Sequence, residues 1–191
     1  MRYLLILVYA LRLRMLANSA QRYVVERKAQ RSAVPRFATP DDAVRYVSSK
    51  FEWRTDKLKG WVPFDWSTHP EVFQSRLERG LPSGDCDDYH AWVCAALERI
   101  PAVSDIVRLS VWTGTNGHTA CLYREDGVLY LVDYQIYPVA SVKQAIDHVC
   151  KRYGYGVPRF RFEAGWVCDE VRWVVETPDL RRLIATTPRT P

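Results

Sequence analysis

The stretch SGDCDDYHAWVCAALERIP, residues 83–101, decides the fold. Tyr89, Trp92, Val93, Ala96, Leu97 and Ile100 recur at i, i+3, i+4, i+7, i+8 and i+11, the spacing of one apolar stripe on a helix. Ser83 is the expected cap and Pro101 the stop. This reading places Cys86 in the first turn, three residues before Tyr89 and on the face that packs inward.

Downstream, residues 107–112, 118–123 and 128–134 are rich in Val, Leu, Tyr and Trp and predict strands. Residues 141–153 predict a helix closed by Gly154, and residues 159–162 and 171–175 predict further strands. Upstream, Thr39 caps a helix with Pro40 at its first position, Asp41 and Asp42 in its first turn, and Ala43, Val44, Val47 and Phe51 at helical spacing. Residues 52–82 form a long connection, with a short helix starting at Pro70 and ending near Gly80; long ordered loops are often functional. Turn-length links between strands cannot join parallel neighbours. The expected class is therefore α+β, a helix bearing Cys86 packed on an antiparallel sheet.

The net charge of +5 is a local property. Eight basic side chains against Glu26 give residues 1–36 a charge of +7, leaving 19 basic and 21 acidic groups, or −2, for residues 37–191. Three segments follow: a basic arm (1–36) with an apolar helix, a main domain (37–178) and a tail (179–191) ending in Thr and Pro. The apolar run 3–11 is nine residues long, and a membrane span needs about twenty. An N-terminal signal would use Arg2 and a cleavage site ending at Ala20, although Arg12 and Arg14 directly after the run are poor signal chemistry. The simpler expectation is a helix packed on this domain or a partner; the sharper one is a helix lying on an anionic surface or partner protein. Five cysteines, odd in number and without a C-x-x-C pair, fit reduced thiols. Cys94, Cys121, Cys150 and Cys168 lie among apolar neighbours and read as buried and inert.

Cys86 is different. A helix N-terminus directs N–H groups and partial positive charge at its sulfur, which favours a thiolate. Gly84 is expected to clear room for a substrate backbone. Asp85, Asp87 and Asp88 would oppose the thiolate unless paired or turned away, so an imidazolium nearby is required. His118 and Asp133 supply it. If Glu125-Asp126 forms the turn, the two residues lie directly opposite; if Asp126-Gly127 forms it, they are diagonal neighbours. Both registers keep them on one face with Ala120, Leu122, Leu129 and Leu131, a face the Cys86 helix is expected to cover. A carboxylate in the apolar segment Leu131-Val132-Asp133-Tyr134 is expensive unless it is paired.

The run Gly84-Asp85-Cys86-Asp87-Asp88-Tyr89, with Gly117-His118-Thr119-Ala120 and Val132-Asp133-Tyr134 after it, resembles the transglutaminase-like superfamily over about residues 40–140. In that superfamily a Cys at a helix start is followed by His and Asp on successive strands, though Ala120 stands here where an aromatic is usual. The resemblance implies a papain/transglutaminase-like core and a Cys86–His118–Asp133 triad of a cysteine peptidase or amidase, of the bacterial or phage type. It implies no cofactor and no metal, and a protein or peptide substrate. Attack on an amide carbonyl would give a thioester, with the oxyanion held by the Cys86 N–H and a second donor. A Trp upstream plays that second part in crosslinking members: Trp53 is nearest the expected place, with Trp61 and Trp66 as rivals.

Alternatives are transglutaminase or deamidase acyl transfer and, in another class, a structural or docking protein such as a virion component. A metal site of Cys86, His90 and an Asp is a further rival, and no other ligand pair supports it. The expected location is cytoplasmic or virion-associated, with secretion left open.

Overall fold

The computed structural model describes residues 29–54, 67–113, 116–155 and 159–164. The first 28 residues, Trp61, Trp66, Cys168 and the strand expected at 171–175 lie outside them. Four helices are described, α1 (Pro40–Ser48), α2 (Pro70–Glu78), α3 (Cys86–Leu97) and α4 (Val142–Tyr153). The strands are β1 (Glu52–Trp53), β2 (Ser83–Gly84), β3 (Val103–Thr113), β4 (Asn116–Glu125), β5 (Val128–Val132), β6 (Ile136–Val139) and β7 (Arg159–Ala164). The class is α+β: β6-β5-β4-β3-β7 form one antiparallel sheet, and β1 and β2 pair in parallel beside it. None of the described helices is long and apolar enough to cross a membrane.

Local chemistry accounts for the helix ends. Thr39 accepts from the Asp42 N–H, with Pro40 at the first position of α1. Ser141 accepts from the Gln144 N–H, and Gly154 closes α4 in the left-handed conformation with φ 69°. The cap of α3 is Asp85, not Ser83, which is drawn into β2 by its pairing with Glu52. Residues just before α1 also join the fold, since Val34 is buried and the Ser32 N–H bonds the Glu71 carbonyl at 3.0 Å.

Ten of the twelve residues of α3 are buried, so it is a central helix covered on all sides. It packs with α1 and α2 against the side of the sheet carrying Cys121, Tyr123 and Val132. The opposite side, with Ala120, Leu122, Leu129 and Leu131, is covered by Val142, Ala145, Ile146 and Val149 of α4. This corrects the expectation that the Cys86 helix covers the latter face. Two apolar faces and two helical covers make a three-layer sandwich, and alternation alone does not say which cover goes where.

The β4–β5 turn is Asp126-Gly127, with φ 50° and 79°, and Glu125 opposite Val128. Positive φ at both central residues is the two-residue hairpin turn matched to strand twist. The strand expected through residue 134 ends at Val132, because residues 133–135 turn the chain into β6, an edge strand the sequence reading lacked. Pro138 is tolerated there because, among the described residues, β6 has one side without a ladder.

Candidate active site

Cys86 opens α3 and is half-buried. The carboxylates around it are engaged with backbone. Asp85 accepts from the Asp87 N–H at 3.3 Å, Asp87 from the Asp88 N–H at 3.0 Å, and Asp88 from the Thr68 N–H at 2.5 Å. Gly84 does not clear room for a ligand. A Cβ at that position would meet Asp88 Oδ2 at 2.6 Å, Asp88 Cβ at 2.9 Å and Phe73 Cε2 at 3.1 Å, so the absent side chain admits Asp88 itself.

His118 and Asp133 meet directly. Asp133 pairs with neither β4 nor β6, lying just beyond the last β4–β5 pair, Cys121 and Val132. In the Asp126-Gly127 register this is the diagonal arrangement, and the His118 Nε2–H donates to Asp133 Oδ1 at 2.8 Å. Both groups are buried, Asp133 completely. Burial works to raise the Asp133 carboxyl, but the hydrogen bond and charge of His118, with Tyr153 assisting, outweigh it and hold the group below its ordinary value. Asp133 is therefore a carboxylate, and His118 is left with Nδ1 as its second nitrogen.

Four further side chains complete the surroundings, none of them singled out by the sequence reading. Tyr153 donates its hydroxyl to Asp133 Oδ1 at 2.9 Å and stacks on His118 with ring centres 4.0 Å apart. Arg152 donates to the Asp133 carbonyl at 3.3 Å and lies 3.4 Å from Oδ2; His148 lies 3.8 Å from the same oxygen. Tyr134, at φ 59°, places its ring 5.9 Å from His118 and 4.7 Å from Tyr89 of α3. A bulky residue at positive φ is strained, and the ring packing holds it there. His148 and Arg152 are four residues apart on one helix, and a buried Asp demands cationic partners. That was the available signal.

The two halves of the site join through His90. Its Nδ1–H donates to the Cys86 carbonyl at 2.7 Å, and its ring centre is 5.7 Å from that of His118. Burial foremost, then the neighbouring His118, pushes the His90 imidazole down to about 3, so it is neutral. That bond takes one ring nitrogen away from any metal role. Among the described residues the one cluster with metal-ligand spacing is Asp85, Asp87 and Asp88, which includes neither Cys86 nor His90. Burial raises the Tyr134 and Tyr153 hydroxyls, and the charge of Cys86 adds to it, so both rings flanking His118 lie within electrostatic range of the thiol. Cys86, His118 and Asp133 thus share one locus, where α3, the β5–β6 turn and the last turn of α4 converge.

Trp53 pairs with Gly84, two residues before Cys86, and is 62% exposed. Its rivals Trp61 and Trp66 lie outside the described residues. Of the thiols read as inert, Cys94 and Cys121 are fully buried 3.0 Å apart, whereas Cys150 is half-buried. Comparison with protein-family models, with curated proteins and with solved structures returned no match.

Proposed function

We propose that this protein is a thiol hydrolase of amide bonds, a cysteine peptidase or amidase of transglutaminase-like type, with Cys86 as nucleophile. The observation that carries the reading is the buried His118–Asp133 hydrogen bond of 2.8 Å beside the helix that begins with Cys86. A buried carboxylate held in its charged form beside an imidazole is costly unless it serves the imidazolium, and a thiol at a helix N-terminus is the group that generates one.

Because Nε2–H is committed to Asp133, Nδ1 takes the thiol proton. Asp133 keeps the tautomer and stabilises the imidazolium. The thiolate attacks an amide carbonyl, and the oxyanion is met by the Cys86 N–H and a second donor, for which Trp53 is the candidate. Collapse breaks the C–N bond as His118 returns its proton to the leaving amine. Water, deprotonated by His118, then cleaves the thioester and frees the thiol.

Iodoacetamide labelling of the full chain from about pH 5 to 9, wild type against His118→Ala, tests this. Selective labelling of Cys86 near pH 6 that disappears in the variant is the expected result. Labelling no faster than that of an ordinary thiol, and unchanged by the substitution, would overturn the reading and favour a docking protein that keeps the fold.

A further inference from the structure

Asp133 Oδ1 receives two donors, the imidazole Nε2–H at 2.8 Å and the Tyr153 hydroxyl at 2.9 Å. The same Tyr153 ring lies nearly parallel to His118, at 29° and 4.0 Å. The three groups close a triangle of ring on ring, ring to carboxylate and hydroxyl to carboxylate. A histidine held by one hydrogen bond can still tilt about that bond; a ring stacked on its face removes the tilt, and a shared acceptor fixes the direction in the plane. Tyr153 is itself pinned, because α4 ends there at Gly154 and the Tyr155 N–H bonds back to the Cys150 carbonyl at 2.9 Å. Its neighbour Arg152 holds the Asp133 main chain. Packing alone would account for the ring, but not for a hydroxyl aimed at the one oxygen that His118 uses.

We infer that Tyr153 is a positioning residue for His118, fixing the imidazole through the stack and the shared Asp133 oxygen so that Nδ1 is presented to Cys86. The inference rests on the thiol-hydrolase reading. It makes the last turn of α4 a required part of the site. The other titratable groups facing His118 are His90 from α3, Tyr134 from the β5–β6 turn, and His148 and Arg152 through Asp133.

The test compares Tyr153→Phe and Tyr153→Leu in the full chain, each checked for a cooperative thermal transition. Two readouts serve: the Cys86 iodoacetamide rate at about pH 6 and pH 9, and the proton NMR position of the His118 Cε1–H, which the stacked ring shifts upfield. Phe keeps the stack but loses the bond to the shared oxygen, and is expected to lose about three- to tenfold at pH 6 with the His118 signal in place. Leu is expected to lose about tenfold or more at pH 6, little at pH 9, and to move the signal downfield. A folded Leu variant with the wild-type signal and the wild-type rate at pH 6 would overturn the inference, as would an equal loss at both pH values. If wild-type Cys86 is itself unreactive at pH 6, the hydrolase reading fails, and solvent-exchange protection of the His118 Nε2–H, compared between wild type and Tyr153→Leu, still decides whether Tyr153 positions His118.

Discussion

Gly84→Ala probes the segment before Cys86 directly, because the space for a side chain there is accounted for. The new Cβ would stand 2.6 Å from Asp88 Oδ2, 2.9 Å from Asp88 Cβ and 3.1 Å from Phe73 Cε2. The Asp88 Cβ is tied to α3 and Phe73 is fully buried, so neither yields easily. Overpacking of this kind costs about 1–3 kcal/mol. Displacing the Asp88 carboxylate also breaks its bond to the Thr68 N–H, a charge-assisted bond of about 1.5–3 kcal/mol. The expected loss is about 2.5–6 kcal/mol, a drop in Tm of roughly 5–24 °C for a chain of this size. Urea and thermal unfolding of the two proteins measure it. On an Asp88→Ala background the carboxylate and its bond to Thr68 are already gone while the Cβ contact remains, so the penalty of Gly84→Ala should shrink by about 1.5–3 kcal/mol without vanishing. A Gly84→Ala protein as stable as wild type to within about 0.5 kcal/mol would refute the packing account and restore Gly84 to a substrate-facing role.

Gly127→Ala isolates the other use of glycine: nothing lies within 4 Å of the added Cβ, but φ is 79°, so a loss of about 1–2 kcal/mol from backbone strain alone is expected in urea unfolding. Asp133 is held below its ordinary value of 3.8, so the unfolded chain binds its proton first and stability is lost as pH falls from about 4 through the folded value. Asp133→Asn should flatten that acid limb in a Tm-against-pH series and slow Cys86 labelling near pH 6. His90 acts in a higher window. Its folded value of about 3 lies below the ordinary 6.5, so stability is full above pH 6.5 and falls toward pH 3 by about 1.4 kcal/mol per pH unit. His90→Gln should remove that slope, and an unchanged slope would mean that His90 is not buried and neutral.

The elements legible in the sequence are those decided locally. Thr39-Pro40 and Ser141 with Gly154 each satisfy orphan backbone groups within a turn, so α1 and α4 begin and end where their caps stand. Alternation placed His118 and Asp133 on one face before any partner was known, and the Asp126-Gly127 dipeptide was one of two turns that kept them within reach. The spacing of Cys86 from Tyr89 put the thiol at a helix start. These are short-range free energies, and a linear reading contains them.

What tertiary structure alone decided is non-local. Both faces of the central strands are apolar, so sequence pattern cannot choose which helix covers which. Burial over whole layers put α3 on the Cys121 face and α4 on the Leu122 face. His118 therefore lies near the start of α3 through His90, whose ring is 5.7 Å from it and bonds the Cys86 carbonyl. The partners of Asp133 come from Arg152 and Tyr153, 19 and 20 residues further along, and no periodicity links such positions. Gly84 shows the same limit: a glycine before a nucleophile suggests access, and the fold spends the space on Asp88. The sequence by itself determined the helices α1 and α4, the β4–β5 hairpin and the placing of Cys86 at a helix start and of His118 and Asp133 on one face, because caps, turns and alternation act within a few residues. The convergence of α3, the β5–β6 turn and α4 on one carboxylate depended on which surfaces exclude water together, and only the folded chain decides that.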